Sequence, residues 1–498
     1  MTTPPTTTAM IRSFPRVFWV SNIMELFERG AYYGMNAVLA VYLTNAVAEG
    51  GLGFSEQSVG FLQGLVYALT YVVPILGGAL AERYGYRRVL LAAVSLLAVG
   101  YFATGHMSSY GTVFASLLVM ATGSGLFKPI ITGTIARTTH ESNSGLGFGI
   151  YYWMINLGAF LAPLLTSYLK GFSWSYVFTA SAAYCALMLL PTLFLYRDPE
   201  RPRSTKSLAE VARGAAMVLG DARFMLMIVL YSGFWILYFQ NFGSVLWFLR
   251  DFVDTSPVDN AFAWLGIPFR FDVEHVTVLN AGTIILLQVV VSRLVQKAKP
   301  LLTMSLGMGL GLVGFVLLAF GLNVWFFVAG IVVFSIGEMT AHPKYYSYVG
   351  LVAPPDKKAV YMGYAFLYGV VGSLIGSNLG GALYESSLKP FIGAPDAPEA
   401  VRRFWLMFAL LDAVAIAGLM TFHRFFSTDS PASNARAQKI MLGVYTLLTG
   451  IGLWFAYHAG FATDTIQYKT LVQAIIMLVI GGGGLAITSR SRTHPAHV

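Results

Sequence analysis

Fourteen apolar runs, each close to the length a helix needs to cross about 30 Å of hydrocarbon, follow one another along this sequence. A bilayer core offers no water to peptide groups, so such runs must close their hydrogen bonds within helices. They lie near residues 16–44, 58–81, 89–107, 111–135, 148–169 and 175–196, then 224–250, 274–296, 301–322, 324–349, 360–384 and 403–425, and finally 440–459 and 470–488. Only 11% of residues are charged and 56% are hydrophobic, whereas a soluble domain carries about 25% charged residues. The expected fold is an all-α polytopic membrane protein with 14 spans. Its expected parts are a six-helix half at 1–196, a linker at 197–223, a second six-helix half at 224–425, and two additional helices with a tail at 426–498.

The net charge of +9 invites a nucleic-acid reading, but the placement of the cations gives a different one. With the N-terminus on the cytoplasmic side, inside segments hold 22 of the 32 Lys and Arg residues and outside loops hold 7. That excess follows the positive-inside rule and sets both termini in the cytoplasm, with no nucleic-acid partner. The N-terminal apolar run outlasts a signal peptide and lacks a small-residue cleavage site, so it reads as a retained first helix. The single cysteine, Cys185, sits in an apolar run (AAYCALML) and excludes an intrachain disulfide. Scattered histidines and the absence of a nucleophile cluster argue against an enzyme. The linker has room for one amphipathic surface helix around Leu208 to Leu219.

The first span carries the stretch MELFERGAYYGM. At 100° per residue, Glu25, Glu28, Arg29, Tyr32 and Asn36 form one stripe. Charges inside a bilayer are costly and face the bundle interior, where they pair. A structural ion pair between helices is one reading; the continuation into aromatic and amide groups favours a cavity lining. Lys128, in GSGLFKPIITG, is the fourth span's charge, and Pro129 after it loosens the backbone. The tenth span, in SIGEMTAHPKYYSYVG, holds Glu338 and His342 on one face, with Pro343 next. Lys344 lies nearer the helix end, where it reaches outward. For His342 two readings stand: a group that titrates near neutral pH, or a neutral ring bonded to a carbonyl. A lysine in one half and a glutamate in the other give a cavity two opposite poles, which suits a zwitterion.

The turn GGALAERYGYRRV (77–89) resembles the loop between the second and third helices of the major facilitator superfamily, and Glu82 there is placed to pair with an arginine. Across residues 16–425 the chain resembles the proton-dependent oligopeptide transporters of that superfamily. The resemblance rests on Glu25, Glu28, Arg29, Tyr32, Tyr33 and Gly34, on Tyr71 ahead of Gly77 and Gly78, and on GLFKP with Lys128. It continues through YYWMINLG with Asn156, FWILYFQNFGS, VLNAG with Asn280, and Glu338 with Pro343 and the Ala353–Pro354 pair.

That resemblance implies import of di- and tripeptides driven by protons, with no cofactor beyond the coupling ion, in an integral protein of the plasma (inner) membrane, monomeric in the bilayer. It assigns the substrate carboxylate to Arg29 and Lys128, the amino group to Glu338, and the peptide backbone to Tyr32, Tyr33, Tyr71, Asn156 and Asn280. Glu25 and Glu28, with Arg29 and Lys128, would carry the coupling protons. The chain departs from the family pattern at Asn36 and Gln240, where an arginine and an acid usually form an outer ion pair. These two amides are therefore expected to be partners, and peptide selectivity and outer-gate closure are expected to differ. The alternatives are transport of a non-peptide solute and a sensor that has lost transport. The two C-terminal helices, without interior charges, are expected to pack peripherally.

Overall fold

The computed structural model describes residues 7–140, 143–198, 208–355, 357–460 and 467–490. Its spanning helices, numbered in chain order, are α1 (Arg16–Thr44), α2 (Glu56–Tyr84), α3 (Tyr86–Thr104), α4 (Tyr110–Arg137), α5 (Ser144–Lys170) and α6 (Trp174–Phe194). After the linker come α7 (Ala222–Phe242), α8 (His275–Val295), α9 (Pro300–Leu318), α10 (Val324–Val352), α11 (Val360–Phe391) and α12 (Ala397–Phe425). The chain closes with α13 (Pro431–Gly460) and α14 (Tyr468–Arg490). Thirteen of these, α2 to α14, are long and apolar enough to cross a membrane. At about 1.5 Å per residue, the 29 residues of α1 also reach across; its polar stripe is what lowers its apolarity. The bundle exposes Leu286, Val289 and Leu294 of α8 and Leu447, Trp454 and Val479 of the last two helices, an apolar coat suited to lipid.

Packing repeats with a shift of six helices. The pairs α1–α5, α1–α6, α2–α4, α3–α4 and α3–α6 recur as α7–α11, α7–α12, α8–α10, α9–α10 and α9–α12. Two related bundles then meet along α2–α11 and α5–α8. Glycine permits the first seam: a Cβ at Gly60 would overlap the Ser377 carbonyl and the Gly381 backbone.

Sequence boundaries shift where local chemistry intervenes. The apolar run 224–250 is not one helix, because the backbone turns at Gly243 (φ −142°, ψ −96°) before a short helix, Ser244–Phe252. The expected linker helix is present as Leu208–Gly220. Glu82 meets Arg137 at 3.9 Å, and Lys344 donates to the carbonyls of Gln296 and Ala298 at the end of α8. The tail beyond residue 490 and the linker stretch 199–207 lie outside the described residues.

The last two helices pair with each other, α13 packs on α7, and α14 touches the linker helix. They are not merely peripheral. Lys469 of α14 donates to Ser58 of α2 and stands 4.6 Å from the Tyr110 ring, while Gln473 donates to Asn378 of α11 at 2.8 Å. The hairpin thus holds both halves, a role invisible in its own sequence because the contacting residues sit at its rim.

Candidate functional site: an interior with two poles

The stripe on α1 turns inward as expected. Glu25, Glu28 and Arg29 are buried, and Arg29 holds both acids: Nε donates to Glu28 at 2.5 Å and lies 3.5 Å from Glu25. Ser124 on α4 donates to the other oxygen of Glu28 at 2.9 Å. A carboxylate that joins an arginine to a second helix is satisfied on both sides, which offsets its burial. Tyr32 and Tyr33 follow on the same helix, with their ring centres 4.9 and 6.0 Å from the guanidinium carbon.

Lys128 is different. Among the described residues it has no carboxylate within ion-pair distance; its nearest aromatic neighbour is the Tyr71 ring, 5.4 Å from Nζ. Both acids on α1 are taken by Arg29. Across the interior, Glu338 on α10 also has no cationic partner among the described residues. It accepts a hydrogen bond from Asn280 of α8 at 3.0 Å, and Asn280 also donates to Ser335 at 2.9 Å. Lys128, Glu338, Asn280, Tyr32, Tyr33, Tyr71 and His342 all remain partly accessible, although their helices direct them into the bundle. Ring contacts run between the two charges: Tyr71, beside Lys128, is 6.2 Å from Tyr368, which is 5.8 Å from His342, one turn after Glu338. Asn156 on α5 is more enclosed and donates to the Tyr152 carbonyl at 2.9 Å.

One expected pair is not formed. Asn36 accepts from the Tyr67 hydroxyl at 2.9 Å, and Gln63 links Tyr67 to the Phe242 carbonyl of α7 at 3.1 and 2.8 Å. Gln240 instead donates to the Gly376 carbonyl at 2.9 Å and accepts from Ser244 at 2.8 Å. The correction has a physical reason: Gln240 lies in the last, 3-10 turn before the Gly243 bend, which points its amide toward α11 rather than α1. Gln63 and Tyr67 carried a signal, a polar pair one turn apart in an apolar run, that the sequence reading passed over.

Ion pairs between the halves, among the described residues, gather at the end opposite the linker. Glu56 is buried and faces Lys389 at 2.7 Å and Arg250 at 3.7 Å. Arg250 also donates to Thr44 and Asn45 at 2.9 and 2.8 Å. Lys170 pairs with Asp272 and Glu274, each at 2.6 Å. At the linker end the described ion pairs join residues of the same half, as in Arg137–Glu82 and Arg223–Asp429. Among the described residues, the ion pairs named above that join the two halves all lie at the far end.

Comparison with known proteins places the fold. The family model of the Major Facilitator Superfamily matches residues 27–377. The uncharacterized transporter YclF of Bacillus subtilis (strain 168) is 31% identical over 35% of this chain and 36% of its own length. The dipeptide and tripeptide permease A of Escherichia coli (strain K12) is 29% identical over 39% of each chain. The chain thus spans well under half the length of these relatives. Among solved structures, a POT family transporter in complex with 5-aminolevulinic acid superposes with a TM-score of 0.68 at 21% identity, covering 84% of this chain and 99% of the other. A nucleoside transporter, NupG, superposes at 0.66 with 16% identity, over 81% of this chain and 99% of its own, so the likeness of shape extends beyond peptide carriers. On the family match and the fold together, this integral membrane protein belongs to the major facilitator superfamily of transporters.

Proposed function

We propose that the protein is a proton-coupled symporter that imports di- and tripeptides, or peptide-like zwitterions, by alternating access. The carrying observation is the pair of opposite charges, Lys128 and Glu338, that face one interior from opposite halves without ion-pair partners among the described residues. A buried charge without a partner is expensive; a ligand with a carboxylate and an amino group supplies both partners at once and draws the halves together. Asn280 orients the Glu338 carboxylate, and Tyr32, Tyr33, Tyr71 and Asn156 offer polar groups to a backbone between the poles.

Coupling follows from competition for Arg29. While Glu25 and Glu28 are ionised they hold the guanidinium. A proton on either acid weakens that hold and frees Arg29 to join Lys128 at the substrate carboxylate. Substrate binding and protonation then favour each other, a reciprocal linkage. The coupling ion is the only cofactor this scheme requires. In this scheme both termini face the cytoplasm of the plasma (inner) membrane, and the end that carries the ion pairs between the halves is then the outer one. A monomer suffices, because one chain supplies both poles.

A second reading, a non-peptide zwitterion, is favoured by the structural neighbour bound to 5-aminolevulinic acid and by the neutral Asn36 and Gln240. Counterflow in proteoliposomes tests both. Acetylating a peptide's amino group should weaken its competition strongly in the wild type and little in Glu338→Gln. Amidating its carboxylate should act likewise against Lys128→Ala. Truncation of one partner in such a pair costs about 2–5 kcal/mol, at least about tenfold in affinity. If neutral or purely anionic solutes exchange and no zwitterion does, the proposal fails.

A further inference from the structure

At the far end of the seam between α2 and α11 lies a cavity that the transport scheme leaves unused. It measures about 480 Å³ and opens between α2, α11 and the start of α14, a size usual for small-molecule sites. Gln57, Ser58 and Phe61 of α2, Asn378 of α11, and Lys469 and Gln473 of α14 line it. All of these except Phe61 are at least partly accessible, so their polar atoms can meet an incoming ligand.

The lining has a definite chemistry. Lys469 donates to Ser58 and, among the described residues, has no carboxylate within ion-pair distance. An ammonium carries three donors, so two remain for a ligand. Glu385, the acid beside it, accepts the Gln57 backbone N–H at 2.8 Å. Asn378 accepts from Gln473 at 2.8 Å and donates to the Leu374 carbonyl at 2.7 Å. The cavity thus offers one positive charge, several neutral amide and hydroxyl groups, and no lining carboxylate. That set suits one phosphate carrying hydroxyls; a cationic headgroup would find no counter-charge.

Deeper in the membrane the same helix faces turn apolar and remain exposed. Val72 and Leu76 lie three and four turns beyond Phe61 on α2, Ile375 one turn before Asn378 on α11, and Ile480 two turns after Gln473 on α14. The α14 helix packs on α13 and the linker helix, and it meets α2 and α11 chiefly through its rim side chains. A polar cavity therefore sits above an uncovered apolar groove, the pattern of an amphiphile's head and tail.

We propose that this cavity binds an anionic, hydroxyl-bearing glycerophospholipid of the phosphatidylglycerol type. Its phosphate meets Lys469, its hydroxyls meet the amides of Gln57, Asn378 and Gln473, and an acyl chain covers the groove below. A soluble phosphodiester shares the headgroup chemistry but leaves the groove bare. The lipid touches both halves beside the Glu56 ion pairs, so it favours the arrangement in which α2 and α11 meet at this end. The inference uses only the fold and the cavity and does not depend on the peptide reading.

The test is native mass spectrometry of the purified full chain with phosphatidylglycerol, phosphatidylcholine of the same acyl chains, and soluble glycerophosphoglycerol. The wild type should retain one phosphatidylglycerol about tenfold more tightly than phosphatidylcholine, the worth of one charge-assisted hydrogen bond. Lys469→Gln should remove most of that preference. Asn378→Leu, which keeps the charge, should reduce it in part and decides the matter if the first variant misfolds. Equal retention of the two lipids by the wild type, or a preference that survives both substitutions, overturns the inference. Displacement of the lipid by an equal concentration of glycerophosphoglycerol overturns the lipid assignment in favour of a soluble phosphodiester. In nanodiscs, spin labels at the far ends of α2 and α11 should show less of the longer distance with phosphatidylglycerol than with phosphatidylcholine. Distances that ignore the lipid overturn its effect on this end.

Discussion

The Tyr67 hydroxyl donates to Asn36 at 2.9 Å, and this bond, with Gln63 behind it, joins α1 and α2 to the carbonyl of Phe242 in the other half. Tyr67→Phe removes the donor and leaves a buried amide oxygen unsatisfied, a loss of about 1–3 kcal/mol. Thermal melting in detergent should register it as reduced stability. Asn36→Arg should impair transport, and Gln240→Glu should not rescue it, since Gln240 is engaged with Gly376 and Ser244. Rescue would mean that the two amides become partners in another state.

Glu28 joins Arg29 to Ser124, whereas Lys128 stands apart. Glu28→Gln should abolish uphill, proton-driven uptake and keep measurable counterflow, because exchange requires the substrate site but no net proton movement. Lys128→Ala should lose both. Accumulation that still follows the pH gradient in either variant would refute the coupling scheme.

Glu56 is the hub of the tied end, facing both Lys389 and Arg250 from α2. Glu56→Gln should shift the population toward opening at that end. Spin labels at the far ends of α2 and α11 should show a longer distance fraction in the variant. An unchanged distance distribution would show that the Lys170 cluster alone holds the gate.

Asp272 sits outside the spans. Burial pushes its carboxyl up, but Lys170, a backbone N–H and Arg270 pull it down more, so it lies below the ordinary aspartate value. A depressed carboxylate contributes its stability fully above the unfolded value of about 3.9 and loses it only as pH falls through the lower folded value. Between about pH 7 and pH 5 the Lys170–Asp272 tie should therefore stay constant. Distances at the tied end in wild type and Asp272→Asn should differ by a fixed offset over that range. A difference that grows with acid would make Asp272 a proton switch.

The hairpin offers a separate handle, since Lys469 and Gln473 reach α2 and α11. Replacing them with Met and Leu removes hydrogen bonds worth about 1 kcal/mol each. The tied end should open more readily, seen as a higher fraction of the long distance at the same spin-label pair. No change would assign the hairpin to lipid packing alone.

Much of this protein was legible in one dimension. Apolar length is a local property, so the spans of α1 and of the linker helix could be read nearly to the residue, and the charges of α1, α4 and α10 stood out because a bilayer penalises them wherever they occur. The same reading found that those charges face inward, since no other placement is affordable. What it could not supply was the choice of partner. Asn36 and Tyr67 are 31 positions apart, and Lys389 and Glu56 are 333 apart. Such pairs depend on how each helix is rotated and how far it slides against its neighbour. A single bend at Gly243 redirects Gln240 from α1 to α11, and a lysine at the rim of α14 turns an apolar hairpin into a tie between halves. Hydrophobic spacing decides which face of a helix is buried; only the packed bundle decides which two faces meet.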